Sequence, residues 1–214
     1  RFGLQCMAGS GNLDESYFIE LLTAIVHHSK KIESALNIQF EFISMGGGLG
    51  IPYKDEDTPL NYDRLFTQLS NVLYTGYPDK ITAPALWVEP GKSIIGDAGF
   101  ILTRVTGLKV SYKNFIGLDA GMETLMRPAL YGALHKIIPL KKTKKTGMKS
   151  YEFVGPICES TDTFGTIKKY QKLNEKDFLA ICDVGAYGTS LASNYNVRPK
   201  PIEILIKGSK IQVI

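Results

Sequence analysis

Apolar residues recur at helical spacing in two stretches of the first half of the chain. Asn12 precedes the first stretch, and Glu15 stands three residues after Asn12. This spacing predicts a helix that begins with Asn12 as its N-cap. The apolar positions of this stretch are Phe18, Leu21, Leu22, Ile25 and Val26. The second stretch contains Leu65, Phe66, Leu69, Val72 and Leu73 and is closed by Gly76. Both patterns predict amphipathic helices with one buried face.

Short apolar runs alternate with these helices. Residues 40–45 run directly into three glycines, and residues 85–88 end at Glu89. Runs of this length that are rich in aromatic and β-branched residues predict β-strands. Strands alternating with helices predict a parallel α/β arrangement, and the order is typical of a piece of a (β/α)8 TIM-type barrel.

After Gly91 the pattern changes to β-type runs. They cover residues 99–105, 108–112, 115–118, 151–154, 178–184 and 202–206. The sequence therefore predicts an α/β plus β fold in two domains, with residues 1–94 belonging to a partial barrel and residues 95–214 forming a mainly β domain.

The composition indicates a globular chain. It has 214 residues, 44% of them hydrophobic, and a formal charge of +4. The charge is dispersed except at Lys141–Lys145, which we interpret as a solvated hairpin tip; contact with nucleic acid or anionic lipid is the alternative. The three cysteines, Cys6, Cys158 and Cys182, are far apart and form no Cys-x-x-Cys pair, so neither a disulfide framework nor a zinc site is predicted and a reducing cytoplasm fits.

Metal binding, membrane insertion and export are not expected from the sequence. Adjacent His27 and His28 point to different faces of their helix and His135 is distant, so no metal site is predicted. No apolar run approaches the roughly 20 residues of a membrane span, and the first residues do not resemble an export signal.

Candidate chemistry lies where apolar runs end. The segments are residues 46–50, 89–92, 154–162 and 183–188. Burying a carboxylate beside a thiol costs several kcal/mol unless the carboxylate is paired, so we expect Cys158 and Glu159 to face a cavity or a partner. Gly46, Gly47 and Gly48 would allow backbone N–H groups to converge on a phosphate, with a tight βα turn as the alternative.

In this order, these segments resemble the fold-type III pyridoxal-phosphate decarboxylases of amino acids, and within them the diaminopimelate decarboxylases. The most specific run is Gly155-Pro156-Ile157-Cys158-Glu159-Ser160 with Asp162, because ornithine-type relatives carry aspartate after the cysteine. Residues 119–131 and 193–199 also match. The resemblance covers essentially the whole chain.

The resemblance implies an activity and an assembly. The activity is decarboxylation of meso-2,6-diaminopimelate to L-lysine with pyridoxal 5'-phosphate, in a homodimer with shared active sites. Residues 1–94 would be the C-terminal portion of the cofactor-binding barrel. The lysine that forms the Schiff base would lie upstream of Arg1, so this polypeptide is not expected to be competent alone, and a further strand and helix would be absent after Gly3.

The resemblance also assigns residues to the cofactor. Those are Ser10, Gly46, Gly47, Gly48, Glu89, Gly91, Lys92 and Tyr187. Glu89 would pair with the pyridine nitrogen, and an exposed turn glutamate is the alternative. Lys92 stands where arginine is usual, and Met7 stands where the family has the histidine that stacks on the cofactor ring.

Substrate contacts are implied for Lys92, Arg127, Tyr131, Glu159 and Tyr187. Cys158 would supply a proton near the substrate Cα. Arg127 and Tyr131 are four residues apart and would share a helix face, either as a carboxylate clamp or as a surface pair.

Two other functions remain open. One is a related decarboxylase of another basic or diamino acid, and the other is a catalytically silent regulatory relative. Met7, Lys92 and the absent Schiff-base lysine favour the silent relative. The retained substrate residues oppose it.

Overall fold

The computed structural model describes residues 2–141 and 147–214. The chain divides into two compact units, one ending at Gly96 and the other beginning at Asp97. The hairpin tip was predicted at Lys141–Lys145, and residues 142–145 of it lie outside the described residues. Among the helices in the described ranges, none is both long and apolar enough to cross a membrane.

The first unit alternates strands and helices, as the sequence predicted. Its strands are β1 (Gly3–Gln5), β2 (Phe42–Ser44) and β3 (Ala85–Trp87), paired in parallel in the order β1-β2-β3. Its helices are α1 (Glu15–Leu36), α2 (Tyr62–Gly76) and α3 (Lys92–Ile95). Because the three strands are parallel, their carboxyl ends lie at the same edge of the sheet. The segments that follow β2 and β3 therefore leave the sheet at that edge.

Helix α1 begins later than the sequence predicted. Its N-cap is Asp14, whose carboxylate accepts the Ser16 N–H at 2.9 Å. The predicted cap, Asn12, is wrong, because its side chain accepts the Asp14 N–H at 2.8 Å and its own N–H donates to Gly48 O at 2.9 Å. Asn12 thus organises the loop before the helix.

Helices α1 and α2 bury most of the predicted faces, but Phe66 of the α2 pattern is exposed. The shared core includes Phe18, Leu22, Ile25, Val26, Leu65, Leu69 and Leu73, together with Ile43 of the sheet. Tyr77, just beyond α2, hydrogen-bonds through its hydroxyl to Ser29 at 2.8 Å and Glu33 at 2.9 Å of α1. The two helices are therefore joined by packing and by a polar clip.

The second unit contains a six-stranded mixed sheet. The strands are β4 (Phe100–Val110), β5 (Asn114–Leu118), β6 (Ile137–Pro139), β7 (Lys149–Val154), β8 (Thr163–Tyr170) and β9 (Phe178–Cys182), in the order β6-β9-β4-β5-β7-β8. A separate hairpin, β10 (Ile204–Lys207) and β11 (Lys210–Val213), follows. The short helix α4 (Arg127–Tyr131) lies between β5 and β6.

Two predicted strands are one strand. Residues 99–105 and 108–112 were expected to be separate, but β4 runs through both. Its first half pairs with β9 and its second half with β5. The pairing register with β5 shifts between Val105 and Gly107, so a β-bulge, and not a turn, lies between the two predicted runs. Strands β6, β8 and β11 were not predicted.

Strand direction brings three loops to one edge of this sheet. Strand β5 is parallel to β7, and both β5 and β9 are antiparallel to β4. The carboxyl ends of β5, β7 and β9 therefore meet at the same edge. The segments that leave this edge begin at Asp119, Gly155 and Asp183, and they carry the candidate residues of this unit.

Candidate active-site residues

A glycine turn follows β2 in the first unit. Gly46 and Gly48 adopt positive φ angles of 69° and 93°, a conformation that favours glycine. A Cβ atom at Gly47 would overlap the backbone carbonyl of Glu89, and one at Gly48 would lie 2.5 Å from Gly9 O. The three glycines are therefore required by close backbone approach.

Two more predicted residues lie against this turn. The approach of Gly48 to Gly9 brings the turn that contains Ser10 beside the glycines. The Lys92 ammonium lies 2.9 Å from where a Cβ of Gly11 would be. The structure thus gathers the glycine turn, the Ser10 segment and a cation at the strand ends of one sheet. The N–H groups of Gly46 and Gly47 donate to Ser44 Oγ and Met7 Sδ, so the Lys92 ammonium is the group here that suits an anion.

Glu89 is joined to the same turn. Its N–H donates to Gly46 O at 2.8 Å, and its exposed carboxylate accepts the Ser44 hydroxyl at 2.6 Å. Ser44 Oγ also accepts the Gly46 N–H at 3.2 Å. The carboxylate is therefore held in place, and Gly91 follows as the residue before helix α3.

Met7 makes a specific contact with the glycine turn. Its sulfur accepts the Gly47 N–H at 3.2 Å, while 53% of the residue is exposed. The side chain thus covers one glycine N–H and presents an apolar surface to solvent.

In the second unit, Cys158 and Glu159 lie side by side and exposed on the loop after β7. The loop is closed by backbone hydrogen bonds, from Gly155 N–H to Asp162 O at 3.0 Å and from Asp162 N–H to Glu159 O at 3.2 Å. These bonds fix a compact turn whose tip presents the thiol and the carboxylate, as expected for a site that faces a cavity or partner.

The buried carboxylate of Asp162 anchors that turn. It accepts the Ile157 N–H at 2.6 Å within the loop and the Met122 N–H at 2.7 Å from the loop after β5. Burial raises the pKa of the Asp162 carboxyl, and the nearby charge of Glu123 adds to the rise. The Arg198 Nε group in turn donates to Glu123 at 2.7 Å. One carboxylate therefore joins two of the three loops at this edge.

Glu159 borders a cavity of about 520 Å³. The lining residues are Met122, Met126, Glu159, Thr161, Ser193 and Tyr195. Tyr195 donates its hydroxyl to Glu159 at 2.5 Å, and this bond raises the pKa of the Tyr195 phenol. A carboxylate beside methionine side chains suits a ligand with an aliphatic chain and an ammonium group.

Arg127 and Tyr131 begin and end helix α4, but their surroundings differ. Arg127 is buried, with its Nη1 3.0 Å from His135 Nε2, whereas Tyr131 is 67% exposed. Their use as one clamp stays a prediction. Tyr187, which is 49% exposed with a φ of 59°, lies in the loop after β9. Cys182 is half-buried at the last position of β9, which ends two residues before the predicted run of residues 178–184 does.

Sequence reasoning missed three residues that organise these sites. Ser44 is a serine in a strand with no motif around it, and its contact with the Glu89 carboxylate forms only in the folded chain. His135 was considered only as a metal ligand. Tyr195 was noted within a matching run, but its bond to Glu159 joins residues 36 positions apart, which no local pattern reveals.

Comparison with known proteins agrees with this arrangement. Residues 17–185 match the family model of the pyridoxal-dependent decarboxylase C-terminal sheet domain. The chain is 37% identical to the diaminopimelate decarboxylase of Methanothermobacter thermautotrophicus over 99% of its own length and 50% of that relative. The diaminopimelate decarboxylase of Archaeoglobus fulgidus is 38% identical, with the same coverage of both chains.

Solved structures give the same result. The diaminopimelate decarboxylase of M. jannaschii in complex with L-lysine superimposes with a TM-score of 0.87 at 34% identity, over 98% of this chain and 48% of that one. This chain therefore spans about half the length of the relatives it matches. From the family match and the extent of these similarities, the chain belongs to the pyridoxal-dependent decarboxylases of the ornithine, diaminopimelate and arginine group.

Proposed function

We propose that the full-length protein is a pyridoxal-phosphate-dependent decarboxylase that converts meso-2,6-diaminopimelate to L-lysine and carbon dioxide. The observation that carries the proposal is the anchored loop that presents Cys158 and Glu159 side by side, with Glu159 at a cavity. It occurs in a chain 34% identical to a diaminopimelate decarboxylase solved with L-lysine.

We assign residues 1–94 to the C-terminal portion of a cofactor-binding (β/α)8 barrel and residues 95–214 to the mainly β domain. The parallel strands and alternating helices of the first unit support the barrel assignment. The division of the chain after Gly96 supports the boundary.

The residues of the first unit fit pyridoxal phosphate. The phosphate would be bound by the backbone of Gly46–Gly48, by Ser10 and by Lys92, because the glycine turn and the segment that contains Ser10 lie against each other and the Lys92 ammonium lies beside Gly11. When bound, this cofactor supplies an electron sink for the electron pair left as the carboxylate departs. Glu89, held by Ser44, would keep a proton on the pyridine nitrogen. Gly91, and Tyr187 of the second unit, complete the proposed cofactor set.

The residues of the second unit would handle the substrate. The carbon–carbon bond to the carboxylate breaks, carbon dioxide leaves, and the thiol of Cys158 delivers a proton to the Cα in its place. Arg127 and Tyr131 would bind a substrate carboxylate, Lys92 of the first unit is assigned to the same role, and Tyr187 would contact the substrate. Glu159 would bind the far ammonium, for which a carboxylate is the matching charge.

The assembly we propose is a homodimer in which the Cys158 loop serves the neighbouring subunit's cofactor. The exposure of both Cys158 and Glu159 in the single chain supports this assignment, since a thiol and a carboxylate at a loop tip are free to reach a partner.

The test is an assay of the full-length protein with pyridoxal phosphate. We expect a visible absorption band and release of L-lysine from meso-diaminopimelate, with ornithine and arginine as poor substrates. A preference for ornithine or arginine would assign the enzyme to another diamino acid. A protein that stays colourless after incubation with the cofactor would overturn the proposal and favour the silent relative.

A further inference from the structure

His135 connects Arg127 to the central sheet of the second unit. The imidazole is 7% exposed. Its Nε2 lies 3.0 Å from Arg127 Nη1 and its Nδ1 lies 2.9 Å from Cys182 O. Both ring nitrogens are therefore engaged at hydrogen-bonding distance, one by a side chain and the other by a backbone carbonyl.

The chemistry of the two partners decides which nitrogen carries the proton. A guanidinium only donates hydrogen bonds and a carbonyl oxygen only accepts them. Nε2 of His135 must therefore accept from Arg127, and Nδ1 must donate to Cys182 O. The geometry points to a neutral imidazole protonated on Nδ1.

Arg127 depends on such a partner for its orientation. Helix α4 has five residues, and a helix this short is not stable by itself. It ends at Gly132, which adopts a left-handed conformation with a φ of 62°. The direction of the guanidinium at its first residue must be set from outside the helix.

The sheet provides that reference. Cys182 is the last residue of β9, and its N–H donates to Lys136 O at 2.8 Å. The N–H and the C=O of Cys182 thus both contact the segment that carries His135, the first through Lys136 O and the second through His135 Nδ1. The same strand leads directly into the loop that carries Tyr187.

We propose that His135 is a positioning residue that aims the Arg127 guanidinium at the substrate carboxylate. The proposal rests on the role assigned to Arg127 in the proposed function. Loss of the Nε2 acceptor would leave Arg127 in its helix but remove one contact that fixes the direction of its guanidinium. We expect this change to weaken substrate binding more than it slows the chemical step.

Two substitutions separate the acceptor function of Nε2 from the donor function of Nδ1. In His135→Gln, the longer amide places an oxygen near the Nε2 position and keeps an acceptor for Arg127. In His135→Asn, the shorter amide keeps a donor for Cys182 O and offers Arg127 nothing. His28→Asn, at an exposed position of α1, is the matched control.

We expect His135→Asn to raise the KM for meso-diaminopimelate about tenfold or more, with a smaller change in kcat, since a hydrogen bond involving a charged group has roughly that effect. His135→Gln should stay within about threefold of the wild type, and His28→Asn should match it. Thermal melting of each variant shows whether the fold is retained. Equal KM values for His135→Asn and His135→Gln, either both raised or both unchanged, would overturn the proposal.

A second measurement separates this inference from the proposed function. Histidine-specific 15N NMR of the holoenzyme, with the His135 signal identified by its loss in His135→Gln, should show a protonated Nδ1 and an unprotonated Nε2. The opposite tautomer would overturn the inference whatever the enzyme decarboxylates. An unchanged KM in Arg127→Ala would instead remove the assigned role of Arg127, and a raised KM there with a normal KM in His135→Asn would remove only the role of His135.

Discussion

The hydroxyl of Ser44, the last residue of β2, donates to the carboxylate of Glu89 at 2.6 Å. Glu89 lies 45 residues later in the chain, just after β3. The same hydroxyl oxygen accepts the N–H of Gly46, the first glycine of the turn. One serine thus links the proposed phosphate-binding turn to the carboxylate proposed for the pyridine nitrogen. A single side chain thus contacts both parts of the proposed cofactor site.

Replacing Ser44 by alanine should therefore weaken cofactor function. We expect kcat/KM to fall roughly tenfold and the affinity for pyridoxal phosphate to fall as well, because a charged acceptor loses its donor. Ser70→Ala is the control, since Ser70 Oγ donates to the backbone carbonyl of Phe66 on the exposed side of α2. Wild-type cofactor affinity and kcat/KM in Ser44→Ala would show that Glu89 needs no such support.

Glu159 is predicted to determine substrate choice. Glu159→Gln removes the charge but keeps the size and should lower kcat/KM for meso-diaminopimelate by roughly a hundredfold or more, as expected for loss of an ion-pair partner. Tyr195→Phe removes only the 2.5 Å hydrogen bond to Glu159 and should have a smaller effect. If both variants were equally active, or if Glu159→Gln were unimpaired, the ammonium-binding role would be wrong.

Asp162 should make stability depend on pH. Its pKa is raised in the folded state by burial and by Glu123, so its contribution is full below the unfolded pKa and is lost as pH rises through the folded pKa. Asp162→Asn removes this titration and leaves one buried N–H without an acceptor, at a cost of about 1–3 kcal/mol. The variant's deficit in the free energy of unfolding should be larger in mild acid than at neutral pH.

Urea denaturation between mildly acidic and neutral pH measures this difference. Asp177→Asn is the control, because Asp177 also accepts a backbone N–H, from Asn174 at 2.7 Å, but in another turn. A deficit in Asp162→Asn that grows toward neutral pH would contradict the assignment.

The shared active site is tested by complementation. Full-length Cys158→Ala protein and a full-length mutant of the Schiff-base lysine are each expected to be inactive. Mixed under conditions of subunit exchange, they should regain up to about a quarter of wild-type activity, because half the dimers are mixed and each holds one intact site. With exchange shown independently, activity no higher than that of the separate mutants would rule out a loop that serves the neighbour.

Local patterns were sufficient where one physical signal dominates. The apolar spacing of Leu65, Leu69 and Leu73 predicted helix α2, and the run from Ala85 predicted β3. Asn12 misled the prediction because Asp14, two residues later, is an equally good cap and is closer to the helix. Strand β8 was missed because Gly165 and polar residues interrupt its alternation.

The site residues divide in the same way. Cys158 and Glu159 were identifiable because their chemistry is costly to bury. The roles of Asp162, Ser44 and His135 depend on hydrogen-bond partners 40 to 47 residues away in the chain. Those partners are Met122, Glu89 and Cys182 respectively. Long-range pairing is set by tertiary packing, which a single sequence does not display.

The close packing of Gly121 and Gly155 has a consequence for protein engineering. A Cβ at Gly155 would overlap the Asp162 carboxylate, and one at Gly121 would lie 2.6 Å from Glu123 Oε2 and 2.8 Å from Asp162 Oδ1. Mutant libraries aimed at new substrates should therefore leave both glycines unchanged and vary exposed Ser160 and Thr161 at the tip. Substitutions at these two positions would change the side chains that the loop presents to a ligand and would leave the packing of Gly121 and Gly155 around Asp162 intact.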